Sequence, residues 1–520
     1  MKLLDDVARA LASRRAPLVA GVVSGLVVWI VWGALAPIPL IHDEFSYVLQ
    51  ARIFAGGHWT APAPPIPEFF EQPHVLVSPA VASKYPPGHA LLLALGALVG
   101  APWIVVILLS AITGGLVYAL GRRLFNPWIG LFAWLFWLVA PFNLRFRPSY
   151  YSEVTTAALW LMAWWALLEW RATRRREWLF ALAAAIGWGA ITRPLTMLAF
   201  ALPVAVIVLR DVVRHRAWRD LALATVIGVA ILGVLPLWSA RTTGDWRLSP
   251  TTLYRRDYLP FDKPGLSVDR TPPSRTLPPV VAALYRDHLY IHEHYSLAEL
   301  PRALAERMVA VAKEVWGGPW LVLAPFAILG LLAMNGPLAF GLLTSGALFV
   351  AYLPYAHWSQ WTLYYLEIEP VLCAITALGV WQAGVLLTRA VSRLRSTAAG
   401  SQSHAHGIPA LATLLACALL LVPAASTAAE SRRTHVSMAK FDESFHATLA
   451  TLPSTRSVVF VRYSPRMPQH VSVVTNEPDL DDAAVWIVHD RGSENQRLLA
   501  LAHGRTPYVF EELNATLHSY

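Results

Sequence analysis

"APLVAGVVSGLVVWIVWGALAPIPLIHDEFSYVLQARIFAGG", residues 16–57, carries its first charged side chains at Asp43 and Glu44, side by side after an uncharged run from Ala16 to Ile41. An α-helix needs roughly 20 apolar residues to cross a hydrocarbon core. The run is long enough for that and too long for the apolar region of a signal peptide. No small-residue cleavage pattern follows it, so it reads as a retained first span. The residues behind the two acids keep a helical pattern, with Phe45, Val48, Leu49, Arg52 and Ile53 at helical spacing. That predicts an amphipathic helix lying along the membrane surface, with Asp43 either capping its start or held against the bundle.

The rest of the chain agrees with a membrane setting. It is 56% hydrophobic and 14% charged over 520 residues, against about 25% charged in soluble domains. Its 22 Trp and 17 Tyr suit interfacial belts. The net charge of +9 comes from short cationic clusters between apolar runs, the signature of cytoplasmic loops rather than of a nucleic-acid face. No nucleic-acid partner is expected. Cys373 and Cys417 both fall inside apolar runs and form no disulfide or metal pattern.

Eleven apolar segments are expected to be helical spans, near 17–39, 102–120, 126–142, 153–169, 178–192, 194–209, 221–239, 319–334, 336–355, 368–388 and 408–427. The cationic clusters at 2–15, 122–123, 171–177, 210–219 and 388–395 then fall on one side, which the positive-inside rule makes cytoplasmic. The stretch 85–121 counts as one span preceded by an interfacial helix. The expected fold is an α-helical polytopic membrane protein of about eleven transmembrane helices with interfacial helices, and a small C-terminal α/β extracytoplasmic domain. The membrane part covers 1–428, with outer loops at 40–90 and 240–315, and the tail covers 429–520. In that tail "SVVFVRY", "VSVVTN" and "AAVWIVHD" read as β-rich runs and "SENQRLLALAHG" as a helix. The N-terminus is expected in the cytoplasm of an inner (plasma) membrane protein, with the functional face outside.

Phosphate-cradling Gly loops, nucleophile elbows and zincin motifs do not occur in the sequence. The candidates for chemistry are polar residues on the outer side. Asp43 is placed to act as a general base on a hydroxyl or amine. Lys84, in "SKYPPGH" (83–89), is a solitary cation fixed beside Tyr85 and two prolines, suited to a lipid phosphate. Glu153, in "RFRPSYYSEV" (145–154), stays at the surface or faces a polar cavity, because a carboxylate deep in lipid costs roughly 2.5–3.5 kcal/mol. Arg193 stands alone between two apolar runs and requires an anion or carbonyls as partners.

Asp-Glu after the first span, "KYPPG" before the second, "SE" opening the fourth and then "TRP" resembles the GT-C glycosyltransferases. The nearest likeness is to bacterial relatives of protein O-mannosyltransferases and of the aminoarabinose transferase that modifies lipid A. It covers roughly residues 17–390. The tail segment "PDLDDAAVWIVHDRGSENQRLL" (478–499) resembles the extracytoplasmic tails of some bacterial members.

The resemblance implies a polyprenyl-phosphate sugar donor, an extracytoplasmic acceptor and inversion at the anomeric carbon. It implies Asp43 as the catalytic base helped by Glu44, Lys84 on the lipid phosphate, and Glu153 as a second acid bordering the cavity. Arg52 and Arg193 are added as phosphate or pyranose contacts, and Tyr364 and Tyr365 as residues that stack on the sugar. The segment "HWSQWTLYYLEIE" (357–369) departs from the family's Arg-Tyr-apolar pattern by carrying Glu367 and Glu369.

No obligatory metal is expected. A divalent cation at His42, Asp43 and Glu44 is left open, although three consecutive helical residues do not point one way. A polymerase or ligase of lipid-linked glycans, a membrane transporter and a non-catalytic assembly protein are the alternatives. The first is kept open by Arg255, Arg256, Asp257 and "HEH" (292–294) in the 240–315 loop.

Overall fold

A computed structural model describes residues 2–32, 37–316, 323–394, 407–453, 456–464 and 473–520. Each of the eleven apolar segments is helical. Short α1 (Lys2–Ala12) precedes α2 (Ala16–Val31), the first of them; residues 33–36 of that segment lie outside the described residues. The helices α3 (His42–Ala55) and α4 (Gly88–Ala97) flank the first long loop. The bundle continues with α5 (Trp103–Leu124), α6 (Pro127–Val139), the short α7 (Pro141–Phe146), α8 (Ser152–Thr173), α9 (Arg176–Ala190) and α10 (Pro194–His215). Next come α11 (Trp218–Leu232) and α12 (Val234–Thr243), which form one apolar stretch of 26 residues. The second long loop holds α13 (Pro250–Tyr258), α14 (Pro279–Glu293) and α15 (Leu300–Val315). Finally α16 (Ala324–Ala333), α17 (Gly336–Tyr352), α18 (Glu369–Leu394) and α19 (Gly407–Ala450) complete the bundle. The expected start of the α16 span at 319–322 and residue 395 lie outside the described residues.

Among the described residues, five helices are long and apolar enough by themselves to cross a membrane, and six if the bent pair α1–α2 counts as one. The shorter apolar helices are cut by their own sequence. Both α6 and α17 begin at an Asn cap followed within two residues by Pro: Asn126 accepts from the Ile129 N–H at 2.9 Å, and Asn335 from the Leu338 N–H at 3.0 Å. Helices approach closely through small residues, since a Cβ on Gly379 would meet the Phe326 carbonyl and one on Gly114 would meet Ser24.

The two ends of the bundle differ. A 22-residue helix such as α8 spans about 33 Å. At its far end Glu169 pairs with Arg123, and Arg171 and Arg174 share the buried Asp211 of α10 at 3.0 and 3.3 Å. At its near end Ser152 meets Tyr47 of α3, and Ser152 and Glu153 meet Arg193 at the tip of the α9–α10 hairpin. The cationic clusters and the candidate catalytic residues are therefore at opposite ends of the bundle.

The expected surface helix at 44–57 is not one. The α3 helix is buried on nearly every side, packed against α4 and roofed by the first loop, and only Arg52 among its middle residues is exposed. Ile41, not Asp43, occupies its cap position, with no side-chain bond.

Beyond the bundle, α19 runs unbroken through residue 428 to Ala450 and feeds a four-stranded sheet of order β4-β3-β5-β6. Its strands are β3 (Ser457–Arg462), β4 (Val485–His489), β5 (Thr506–Glu511) and β6 (Thr516–Ser519); β1 (Val75–Leu76) and β2 (Ala82–Ser83) form a small ladder in the first loop. β3 pairs parallel with β4 and β5, and only β6 is antiparallel. A parallel sheet must be covered on both faces, and the period of two along β3 shows how this is done. Val458 and Phe460 face Ile66, Phe69 and Phe70 of the first loop, while Val459 and Val461 face Phe445 of α19. The helix expected over 493–504 is shorter, α20 (Asn495–Leu499). The described part of "VSVVTN", 473–476, is not a strand; Val473 and Val474 pack as plug residues against the sheet instead. Residues 471–472 lie outside the described residues.

Candidate active site

Two adjacent residues on a helix diverge by about 100°, and residues four apart share a face. Asp43 and Glu44 follow that geometry into different surroundings. Glu44 turns into the bundle, where it is fully buried. Its oxygens accept the Tyr150 N–H at 2.8 Å and the Leu40 N–H at 3.2 Å. Burial pushes its carboxyl up to about 8. Glu44 thus ties the start of α3 to the turn before α8.

Asp43 points the other way, toward the first loop, and keeps 34% of its side chain exposed. Oδ1 accepts the hydroxyl of Tyr85, and Oδ2 lies 3.5 Å from His74 Nε2. Tyr47, one turn on from Asp43, stacks on Tyr85 with ring centroids 4.8 Å apart and donates its hydroxyl to Ser152 at 3.0 Å.

Beside this rim stands Lys84. It is buried, its Nζ lies 4.9 and 5.0 Å from the ring centroids of Tyr254 and Tyr85, and it sits 3.9 Å from Asp262. Burial lowers the affinity of Lys84 for its proton, while Asp262 and Asp43 oppose that. Burial alone would raise the Asp262 carboxyl. The neighbouring His292, 3.8 Å away, the Lys84 charge and the 2.9 Å hydrogen bond from Tyr355 together hold it well below the usual carboxylate range.

Deeper in, Glu153 opens α8 and pairs with Arg193 at the tip of the α9–α10 hairpin. Arg193 also donates to Tyr352 at 2.7 Å, and its guanidinium lies 5.4 Å from the Tyr364 ring centroid. Glu367 accepts from Thr156 on α8, so one of the two extra acids belongs to this layer.

Of the residues expected at the site, Asp43, Lys84 and Tyr85 form a rim, and Glu153, Arg193 and Tyr364 form a floor, joined through Tyr47 and Ser152. Arg52 is not among them: it is 54% exposed and bonds Glu477 of the tail at 3.0 Å, because it sits on the opposite face of α3. Tyr365 is a fully buried core residue, stacked 4.4 Å from Phe349 and 3.2 Å from His357 Nε2. It has no surface to offer a sugar.

His74, Tyr254, Asp262 and Tyr352 are the additions that sequence reasoning missed. Of the loop residues kept for a rival reading, His292 does face Asp262, whereas Asp257 is spent on Arg256 and Arg275 within its own loop. Glu44 turns into the bundle, away from Asp43, whereas the His42 ring lies beside His74. Among the described residues no three His, Cys, Asp or Glu side chains gather as metal ligands do.

Residues 84–239 match the family model described as dolichyl-phosphate-mannose-protein mannosyltransferase. That segment takes in Lys84, Tyr85, Glu153 and Arg193 and begins well after Asp43. Among solved structures, the fold is similar to that of ArnT from Cupriavidus metallidurans bound to undecaprenyl phosphate, at 16% identity and TM-score 0.55, covering 96% of this chain and 93% of that one. The apo form of the same protein matches at 16% identity and TM-score 0.53, covering 95% and 93%. No curated protein matches the chain by sequence. The chain is an integral membrane protein with the GT-C architecture. The matched segment lies within the helical bundle, and the likeness to the solved structures is one of fold.

Proposed function

We propose that the protein transfers a sugar from a polyprenyl-phosphate-linked donor to an acceptor outside the cytoplasm, with inversion, and that Asp43 is the base. Its membrane is the inner (plasma) membrane, with the N-terminus and the cationic clusters in the cytoplasm. The observation that carries this reading is the state of Asp43. It is a partly exposed carboxylate, steadied by Tyr85, at the edge of a polar layer that holds the buried Lys84 and the partly buried Arg193.

The chemistry follows from those positions. The acceptor's O–H or N–H proton passes to Asp43 as its heteroatom bonds to the anomeric carbon on the face opposite the phosphate. The anomeric C–O bond breaks and its electron pair stays on the phosphate, so the leaving group needs no acid. Lys84 gathers the charge that grows there, and a preorganised cation in a dry site is worth far more than in water. Arg193, held by Glu153 and flanked by Tyr364, lines the sugar end of the compartment. Glu44 positions Asp43 by fixing α3 to Tyr150 and takes no proton itself.

The test is purified protein in nanodiscs given a panel of radiolabelled undecaprenyl-phosphate sugars and cell-envelope extract. A general base contributes about 10²- to 10⁴-fold, so Asp43→Asn is expected to lose that much in kcat while remaining folded. Transfer by Asp43→Asn at the wild-type rate would remove Asp43 from the mechanism.

A further inference from the structure

His74 is a buried histidine in an unusual backbone state. It lies in the first loop with φ +64°, in the left-handed region that only a few per cent of non-glycine residues adopt. Three bonds hold it there. Its N–H donates to the Tyr254 hydroxyl at 2.9 Å, its carbonyl accepts the Lys84 N–H at 3.0 Å, and the next residue, Val75, pairs with Ser83 in the small ladder.

The consequence of this conformation is where the ring goes. Nε2 stands 3.5 Å from Asp43 Oδ2, on the side of the carboxylate that Tyr85 does not occupy. The ring is enclosed by Tyr85 (centroids 5.6 Å apart), Tyr254 (5.9 Å) and His42 (6.4 Å). A residue in this uncommon conformation whose side chain meets the candidate base, and whose carbonyl carries the candidate phosphate-binding lysine, is placed to serve the site.

We propose that His74 is a positioning residue for the transfer: its imidazole donates Nε2–H to Oδ2 of Asp43 and, with Tyr85 on Oδ1, aims the carboxylate at the acceptor. The inference rests on Asp43 being the base. The 3.5 Å separation is at the long edge of hydrogen bonding, as is common for catalytic pairs before substrate arrives. Burial, with the nearby Lys84 charge, holds the ring well below its ordinary pKa. It is therefore a neutral donor and leaves the negative charge on Asp43, where a base needs it.

The same residue joins both ends of the reaction, since its ring steadies the group that takes the proton and its backbone steadies the lysine of the departing phosphate. A role in backbone geometry alone makes the opposite forecast for one substitution. Glycine adopts φ > 0 without strain, so His74→Gly keeps the turn and removes only the ring.

The experiment compares wild type, His74→Gly, His74→Asn, Asp43→Asn and the Asp43→Asn/His74→Gly double variant in the nanodisc assay with undecaprenyl-phosphate sugars. Misplacing a reacting group by about 1 Å costs on the order of 10²-fold. His74→Gly is expected to lose about 10- to 100-fold in kcat, with donor KM and binding of undecaprenyl phosphate within twofold of wild type. Added imidazole restores part of the rate, and the double variant is no slower than Asp43→Asn alone. His74→Asn, which tolerates the left-handed region but is too short to reach Asp43, behaves as His74→Gly does and guards against loss of fold. Wild-type kcat in His74→Gly, or a loss carried by KM and untouched by imidazole, overturns the inference while Asp43→Asn remains inactive. Full activity of Asp43→Asn overturns the underlying reading instead.

Discussion

The rim and the floor of the site hold their charges in different ways. At the rim, Asp43, His74, Lys84 and Asp262 belong to loops or to the first turn of a short helix, and the polar contacts Asp43–His74 and Lys84–Asp262 are loose, at 3.5 and 3.9 Å. On the floor, Glu153, Arg193, Tyr352, Thr156 and Glu367 sit at helix ends and are closely paired. Loose, mismatched pairs leave charge available to an incoming phosphate or acceptor. Close pairs in a low-dielectric site instead fix helices relative to one another. The rim is built for substrate, and the floor for the shape that receives it.

Breaking the floor gives the largest effect on folding. Removing one partner of a buried pair costs about 3–5 kcal/mol because the other charge is stranded. Arg193→Met is thus expected to lower the thermal midpoint in detergent by many degrees, and Arg193→Met/Glu153→Gln to recover much of it. If Arg193→Met unfolds at the wild-type temperature and only transfer suffers, Arg193 belongs with the rim.

Lys84→Gln tests the other side of the contrast. It removes one partner of a loose pair, and Asp262 keeps the Tyr355 hydroxyl and the facing His292, so the loss of stability should be well below that of Arg193→Met. The apparent affinity for undecaprenyl phosphate should fall about tenfold or more. Unchanged binding, measured by titration in nanodiscs, would take the phosphate away from Lys84.

The smallest effect concerns the seam between the first loop and the tail. Glu71 accepts from Tyr258 at 3.2 Å and Arg275 at 3.4 Å, and its carbonyl accepts from His489 of the tail sheet at 2.6 Å. Burial, opposed by Arg275, pushes its carboxyl up to about 7. A folded-state pKa above the unfolded value favours the protonated fold. That contribution is whole below about 4.5 and is lost as pH rises through about 7. Relative to Glu71→Gln, wild type should therefore lose a few degrees of thermal midpoint between pH 5 and 8. Parallel pH curves for the two proteins would show that Glu71 is ionised in the fold.

Much of the bundle was readable beforehand because apolar length is a local property. Each expected span from 17–39 to 408–427 holds a helix among its described residues, and the order of Asp43, Lys84, Glu153 and Arg193 along the chain already pointed to the GT-C architecture. The failures are failures of direction. Arg52 and Asp43 lie nine residues apart on one helix, and a pattern of apolar spacing could not reveal that the tail would draw Arg52 outward. Tyr364 and Tyr365 are neighbours, yet one borders Arg193 and the other is core. His74 and Asp262 carried no signal, since neither stands in a motif; one enters through a left-handed turn and the other across some 180 residues from Lys84.

The sequence alone determined the membrane setting, the helix inventory, the opposition of cations and acids, and the presence of an acidic pair at the first exit, because each follows from local composition and the cost of burying charge in lipid. Only the tertiary structure decided which of the two acids faces the compartment. Asp43 and Glu44 have nearly the same chemistry and adjacent positions. One turns toward Tyr85 and His74 while the other is consumed by the backbone of Leu40 and Tyr150, and that choice is set by what packs against each face of α3.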